Sequence, residues 1–189
     1  MSKPFTSRWP PKSFPSVIEN HLSQLNSISA VASLWQKHHE SRQYSAVIYA
    51  RPDVLYNCPL PVERLGNLQN DTIYMPLHSV WYGVNDRFAM GTPETAAVFA
   101  TRLYYTFARC FYLEGPSIHS EHYLSLLITD FHFKIEFLER FYFYRVRIGN
   151  KLDPSDTRTQ KGCDITELDR KYWNSYKPKI TDTPSVQHV

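Results

Sequence analysis

The sequence predicts an α/β domain in which a sheet is layered against helices. Short β-rich apolar runs recur at Tyr44–Tyr49, Thr72–Met75, Phe133–Phe137 and Phe141–Ile148. Segments with apolar residues every three or four positions lie before and between them, and strands separated by helices favour a layered domain over a bundle or a sandwich. At 189 residues, 42% hydrophobic and 15% aromatic, the chain has the size and apolar content of one packed domain. No internal repeat or low-complexity tract is present.

The first element is an arm. Residues 1–15 hold four of the thirteen prolines, which interrupt any hydrogen-bond ladder, so a flexible Pro-rich segment is expected there. From Ser16 to about His39 the apolar positions Val17, Ile18, Leu22, Leu25, Ile28, Val31, Ala32 and Trp35 trace a helical face, read as two short helices or one bent one. Tyr44–Tyr49 is too continuously apolar for a half-exposed strand and resembles a buried central one. Thr72–Met75 is a second strand, stopped by Pro76. Leu77–Gly91 reads as irregular, with turn chemistry from Gly83, Asn85 and Asp86. Thr92-Pro93-Glu94 then opens a helix to about Tyr112, with a hydroxyl cap, a first-position proline and a first-turn acid. Gly115-Pro116 ends it, and Ser117–Thr129 gives another amphipathic helix. The alternation of Phe133–Phe137 and the aromatic and β-branched run Phe141–Ile148 suit a sheet. The domain is thus placed at 16–150, followed by a polar tail at 151–189 with a weak helix near Ile165–Trp173.

Composition excludes several classes. The 21 basic and 18 acidic residues give a formal charge of +3 and are scattered, so no run tracks a phosphate backbone and a nucleic-acid partner is not indicated. No stretch approaches the roughly 18 apolar residues of a membrane span, and Met1-Ser2-Lys3-Pro4-Phe5 lacks the apolar core of a signal peptide. A soluble protein, cytoplasmic by default, is the expectation. Cys58, Cys110 and Cys163 are odd in number and widely spaced, which suggests free thiols rather than a disulfide framework or a zinc site.

Chemistry is expected at the carboxyl ends of strands, where loops converge on a rigid sheet. Asp53 stands at such an end. Its carboxylate suits a hard divalent cation, and Arg51 offers a fixed positive charge to the same anionic ligand. The alternative is a common turn in which Pro52 fixes the bend and Arg51 pairs with Asp53. In Trp81-Tyr82-Gly83-Val84-Asn85-Asp86, aromatic faces beside amide and carboxylate groups suit a sugar. Trp81, Tyr82, Gly83 and Asn85 are therefore candidate substrate contacts, and Asp86 a candidate base for an acceptor hydroxyl; an Asn-Asp turn bonded to its own backbone explains the same residues. Glu121 could serve as a base or simply favour a helix start. His119 and His122 share a helical spacing but lack a third ligand. Arg145 and Arg147 alternate on one strand face, where they could clamp phosphate or pair with carboxylates.

In order along the chain, Ser23-Gln24, Tyr44–Ala50 closed by Arg51-Pro52-Asp53, Gly83-Val84-Asn85-Asp86-Arg87-Phe88-Ala89-Met90-Gly91, Ser120-Glu121-His122-Tyr123-Leu124 and Arg145-Val146-Arg147 resemble a family of GT-A-type glycosyltransferase-like proteins. The resemblance covers roughly residues 20–150, and its specificity lies in the order of the set rather than in any one motif. It implies a partial GT-A-like mixed sheet and hexosyl transfer from a nucleotide-sugar to a hydroxyl acceptor. Asp53 would hold Mn2+ or Mg2+ in place of the last acid of the family's DxD motif, while Arg51 replaces the first. Arg51, Asp53, Arg145 and Arg147 would then meet the donor, and Asp86 and Glu121 the acceptor. A complete GT-A domain places one or two βα units before its acidic motif, whereas 43 residues precede Tyr44. A missing N-terminal half or a second subunit is the corresponding expectation, and a noncatalytic carbohydrate- or protein-binding module is the alternative function.

Overall fold

A computed structural model of the chain describes residues 14–56, 58–78, 83–108, 120–138, 141–149 and 151–152. Helix α1 spans Phe14–His39. It is one uninterrupted helix, not two, and begins two residues before the expected start. No glycine or proline occurs between Ser16 and Gln43 to break it. His21, Leu25 and Ala32 are buried along a single stripe, while Lys37, His38 and His39 in the last turn complement the helix dipole. Val31, expected on the apolar face, is exposed.

The main sheet runs in the order β1-β4-β3-β5. Strand β1 (Val47–Ala50) pairs antiparallel with β4 (Phe88–Gly91), which pairs antiparallel with β3 (Thr72–Pro76); β3 and β5 (Lys134–Leu138) are parallel. The architecture is therefore mixed α/β, with a mixed sheet flanked by helices, as expected. The placement of its strands differs from the sequence reading in two ways. The first strand lies at the edge of this sheet and alternates in exposure. Its Tyr49 ring stacks on Phe99 at 4.9 Å, and the Tyr49 hydroxyl accepts from Trp35 Nε1 and donates to the Ala96 carbonyl. Ile48 faces the other way and is exposed. The strands buried throughout are β3 and β4, the two central ones. The second difference is β4, a strand within the stretch expected to be irregular.

A second, antiparallel set of strands consists of β2 (Val54–Tyr56), β6 (Phe143–Arg147) and β7 (Lys151–Leu152). A short 3-10 helix at Val62–Asn67 connects β2 towards β3. After β4, Thr92 and Pro93 open α2 (Pro93–Ala100), although the Thr92 hydroxyl meets Thr95 rather than capping the helix. The expected single helix turns at Thr101, whose N–H bonds Val98 O, and resumes as α3 (Arg102–Ala108). Helix α4 (Ser120–Asp130) ends with His132 in the left-handed region at φ 57. There the N–H groups of His132 and Phe133 bond Thr129 O and Ile128 O, a Schellman closure that turns the chain sharply into β5.

The sheet's two faces carry different cores. Ile73, Met75 and Ala89 pack with Phe99 of α2 and Leu124, Leu127 and Ile128 of α4. Tyr74, Phe88 and Met90 pack with Leu138, Phe141 and Phe143. Cys58 is disulfide-bonded, which corrects the expectation of a free thiol at this position. Among the described residues no helix is long and apolar enough to cross a membrane. The arm before residue 14, the region around Gly115-Pro116 and the tail after residue 152 lie outside the described residues.

Candidate functional site

The end of β1 and the start of β4 are brought side by side by their antiparallel register, which sets Ala50 opposite Phe88. The next residue, Arg51, donates its N–H to Arg87 O at 3.2 Å. Two sequence blocks with candidate site residues, Arg51-Pro52-Asp53 and Asn85-Asp86-Arg87, therefore meet at one end of the sheet. A third joins through β2 and β6: Val54 faces Arg145 in register, and Val146 N–H bonds Asp53 O at 2.8 Å. The fourth, Ser120-Glu121, arrives at the N-terminus of α4.

Within Arg51-Pro52-Asp53 the turn folds the two side chains together. Arg51 Nε donates to Asp53 Oδ1 at 2.8 Å and Arg51 Nη2 to Asp53 Oδ2 at 2.7 Å, with each side chain about one-third exposed. This bidentate fork holds the Asp53 carboxyl below its ordinary range, helped by the charge of Arg147, and raises Arg51. Nearby, burial pushes the Tyr56 hydroxyl up to about 12.

Residues 83–87 are locked to α4. A Cβ on Gly83 would lie 2.0 Å from Glu121 O, so the two backbones touch and only glycine fits. Val84 N–H bonds Ser125 Oγ, whose hydroxyl donates to Glu121 O. Asn85 is fully buried; its amide donates to His78 O at 2.7 Å and its carbonyl oxygen accepts from Arg87 N–H at 3.0 Å. Gly83 and Asn85 therefore build the turn instead of presenting groups to a substrate. Trp81 and Tyr82 lie outside the described residues.

Asp86 occupies the centre of a buried ionic cluster. Its Oδ2 accepts hydrogen bonds from Gln24 Nε2 of α1 at 2.8 Å and from the Ser120 hydroxyl. Arg87 Nη1 is 3.6 Å from Oδ1 and Arg102 Nη2 3.7 Å from Oδ2. Burial alone would raise this carboxyl, yet the two arginines and the bonds from Ser120 and Gln24 hold it well below the ordinary carboxylate range. So firmly ionised, Asp86 has too little proton affinity to serve as the base for an acceptor, which corrects the role read from its sequence. Glu121 is different: burial and the charge of Asp86 raise it to about 7, against the opposing pull of Arg87 and Arg102. Arg87 Nη2 approaches Glu121 Oε1 at 3.4 Å. Arg102 donates to Ser120 Oγ at 3.0 Å and lies 5.0 Å over the Phe99 ring.

The structure thus gathers Arg51, Asp53, Asp86, Glu121, Arg145 and Arg147 into one neighbourhood, and adds Arg87 and Arg102, which the sequence reading did not single out. Gln24, half of the Ser23-Gln24 pair in the family pattern, joins them through Asp86. The sequence offers a faint signal for Arg87, which lies inside the Gly83–Gly91 block, and none for Arg102. His119 lies outside the described residues, and His122 is half-buried beside Tyr123. Among the described residues no group of three or more His, Cys, Asp or Glu side chains is placed to hold a metal ion.

Fold and site together define a mixed α/β protein with a buried carboxylate–arginine cluster at one end of its main sheet. No protein-family model, curated protein or solved structure matches the chain.

Proposed function

We propose that this chain is a GT-A-type glycosyltransferase-like protein that moves a hexose from a nucleotide-sugar donor to a hydroxyl acceptor, with Glu121 taking the acceptor's proton. The observation that carries this reading is convergence. Segments centred on Arg51, Asp86, Glu121 and Arg145 are distant in sequence but adjoin through the Arg51–Arg87, Arg87–Glu121 and Asp53–Val146 contacts. A carboxyl titrating near 7 suits a general base at neutral pH, because an appreciable fraction is ionised while its proton affinity remains high. Transfer requires the acceptor oxygen to bond the anomeric carbon as the bond to the donor's diphosphate breaks. In this reading Arg51, Arg145 and Arg147 provide the positive charge that meets the departing diphosphate.

Manganese or magnesium was the cofactor expected at Asp53. Both oxygens of that carboxylate are engaged by a guanidinium at 2.8 and 2.7 Å, so a divalent cation would have to displace Arg51. The pair as arranged does not fit the ion, and no step is assigned to it. A second reading, the noncatalytic carbohydrate- or protein-binding module, is favoured by one observation: Asp86 and Glu121 are only 5% and 8% exposed, which suits a structural cluster.

Thermal unfolding with a panel of UDP- and GDP-hexoses, each with and without manganese, separates these readings. A donor-specific gain in stability that Arg51→Gln removes is expected. A gain only with manganese, removed by Asp53→Ala, would return Asp53 to the metal-binding role. No gain with any donor would overturn sugar transfer and leave the binding module.

A further inference from the structure

The buried cluster has more arginine donors than it uses. Arg102 is 2% exposed and Arg87 10%. Yet Arg87 Nε, Arg87 Nη1 and Arg102 Nη1 have no hydrogen-bond partner. Buried guanidinium N–H groups are costly to leave unsatisfied, and charged ones most of all. Three such nitrogens within one cluster need acceptors that the surrounding side chains do not provide. Nor can Asp86 provide them all, since its nearest approaches to the two guanidinium groups are 3.6 and 3.7 Å and its Oδ2 already accepts from Gln24 and Ser120.

Both guanidinium groups also face the same element. Arg87 Nη2 reaches Glu121 Oε1, and Arg102 Nη2 reaches Ser120 Oγ, placing the pair at the first turn of the eleven-residue α4. Helix N-termini attract anions through their free N–H groups and dipole.

We propose that Arg87, Arg102 and the first turn of α4 form a binding site for a tetrahedral oxyanion, a phosphate group either free or carried as an ester. The anion supplies the acceptors that the three arginine nitrogens lack. Asp86 does not take part as an acceptor; it is the fixed counter-charge that makes two adjacent arginines tolerable in the free protein. Glu121 is the competitor. When ionised it occupies the Arg87 side of the cluster with its own negative charge, so the anion binds best when Glu121 is neutral. Among the described residues, the charges facing Glu121 include Asp86 and Arg87 from the loop, Arg102 from α3 and Arg51 after β1. Glu121 itself is the carboxyl that burial and the charge of Asp86 raise to about 7. The inference does not depend on the sugar-transfer reading, because it concerns phosphate without a nucleotide.

The test is thermal unfolding of the full chain in inorganic phosphate, sulfate or glycerol phosphate, against chloride at equal ionic strength. Phosphate should raise the midpoint by about 3 °C or more over chloride once it is well above its dissociation constant. Arg87→Gln, with its fold checked by circular dichroism, should lose that specific gain. Glu121→Gln should keep or enlarge it and remove its dependence on pH between 6 and 8. If glycerol phosphate acts as well as inorganic phosphate, the site takes the phosphoryl group of a larger ligand; if only the inorganic anions act, it holds a free ion. Equal midpoints in phosphate and chloride for both the natural chain and Glu121→Gln would overturn the proposal. So would a phosphate gain that survives Arg87→Gln. Should Arg87→Gln fail to fold, the comparison of Glu121→Gln with the natural chain still decides the matter.

Discussion

Arg51 with Asp53, and Asp86 with Arg87 and Arg102, are two carboxylate–arginine assemblies at the same end of one sheet. In the first, geometry is complete: two short bonds close a fork within a three-residue turn, and about a third of each side chain remains in water. In the second, enclosure is nearly complete but bonding is not, with both arginine contacts to Asp86 beyond hydrogen-bond distance. Good geometry in water is worth little because solvent screens the charges, whereas enclosed charges are costly to separate from their partners. The better-formed ion pair should therefore matter less to stability than the looser one. Titration near neutrality also belongs to the enclosed assembly.

The largest effect should follow from Asp86→Ala. It strands Arg87 and Arg102 in the interior without their counter-charge, and a loss of about 3–5 kcal/mol in urea unfolding is expected.

Next is the dependence of stability on pH. Glu121 titrates at about 7 in the folded protein against 4.5 for the ordinary side chain. The folded state therefore binds more protons than the unfolded state between these values. The stabilising contribution is fully present below about 4.5 and is lost as pH rises through about 7, by at most about 3 kcal/mol. Asp86 and Asp53, both lowered, act in the opposite sense: their contributions are lost as pH falls below 3.8 through their folded values. Glu121→Gln should flatten the neutral limb of the curve while leaving the acid limb in place. Urea midpoints at several pH values would show whether it does.

Gly83→Ala should cost about 1–3 kcal/mol, since the new Cβ meets the backbone of α4 and neither side can yield cheaply. Gly66→Ala is its control; a Cβ there has nothing within 4 Å, and a change within about 0.5 kcal/mol is expected. Asp53→Ala should also have a small effect, about 0–1 kcal/mol. A loss comparable to that of Asp86→Ala would reverse the contrast between the two assemblies.

The parts of the fold legible in the sequence are those encoded locally. The runs that become β3, β5 and β6 carry enough β-branched and aromatic residues to declare themselves, and Thr92-Pro93-Glu94 marks the start of α2. What was misread depends on neighbours. Ala46-Val47-Ile48 is continuously apolar whether both faces are covered or, as here, Ile48 is left exposed at an edge. Strand β4 is short and follows Asn85-Asp86, whose turn chemistry dominates a local reading. Of the candidate site, the ordered blocks were visible, and they converge. The roles within it were not, because the partners of Asp86 are set by tertiary packing: Gln24 comes from 62 residues away, and Arg102 from a helix whose periodicity says nothing of its target. Asp86 looked like a base because its neighbours in sequence are polar; in the fold it is enclosed, and Glu121 takes the environment that suits proton transfer.

The contrast between the two assemblies is tested most directly by following the carboxyl carbons of Glu121, Asp86 and Asp53 through an NMR pH titration of the folded chain. Glu121 is expected to titrate with a midpoint of about 7, with both aspartates remaining ionised throughout the neutral range and titrating below 3.8. A Glu121 midpoint near its ordinary 4.5 would contradict the buried cluster as the seat of proton chemistry.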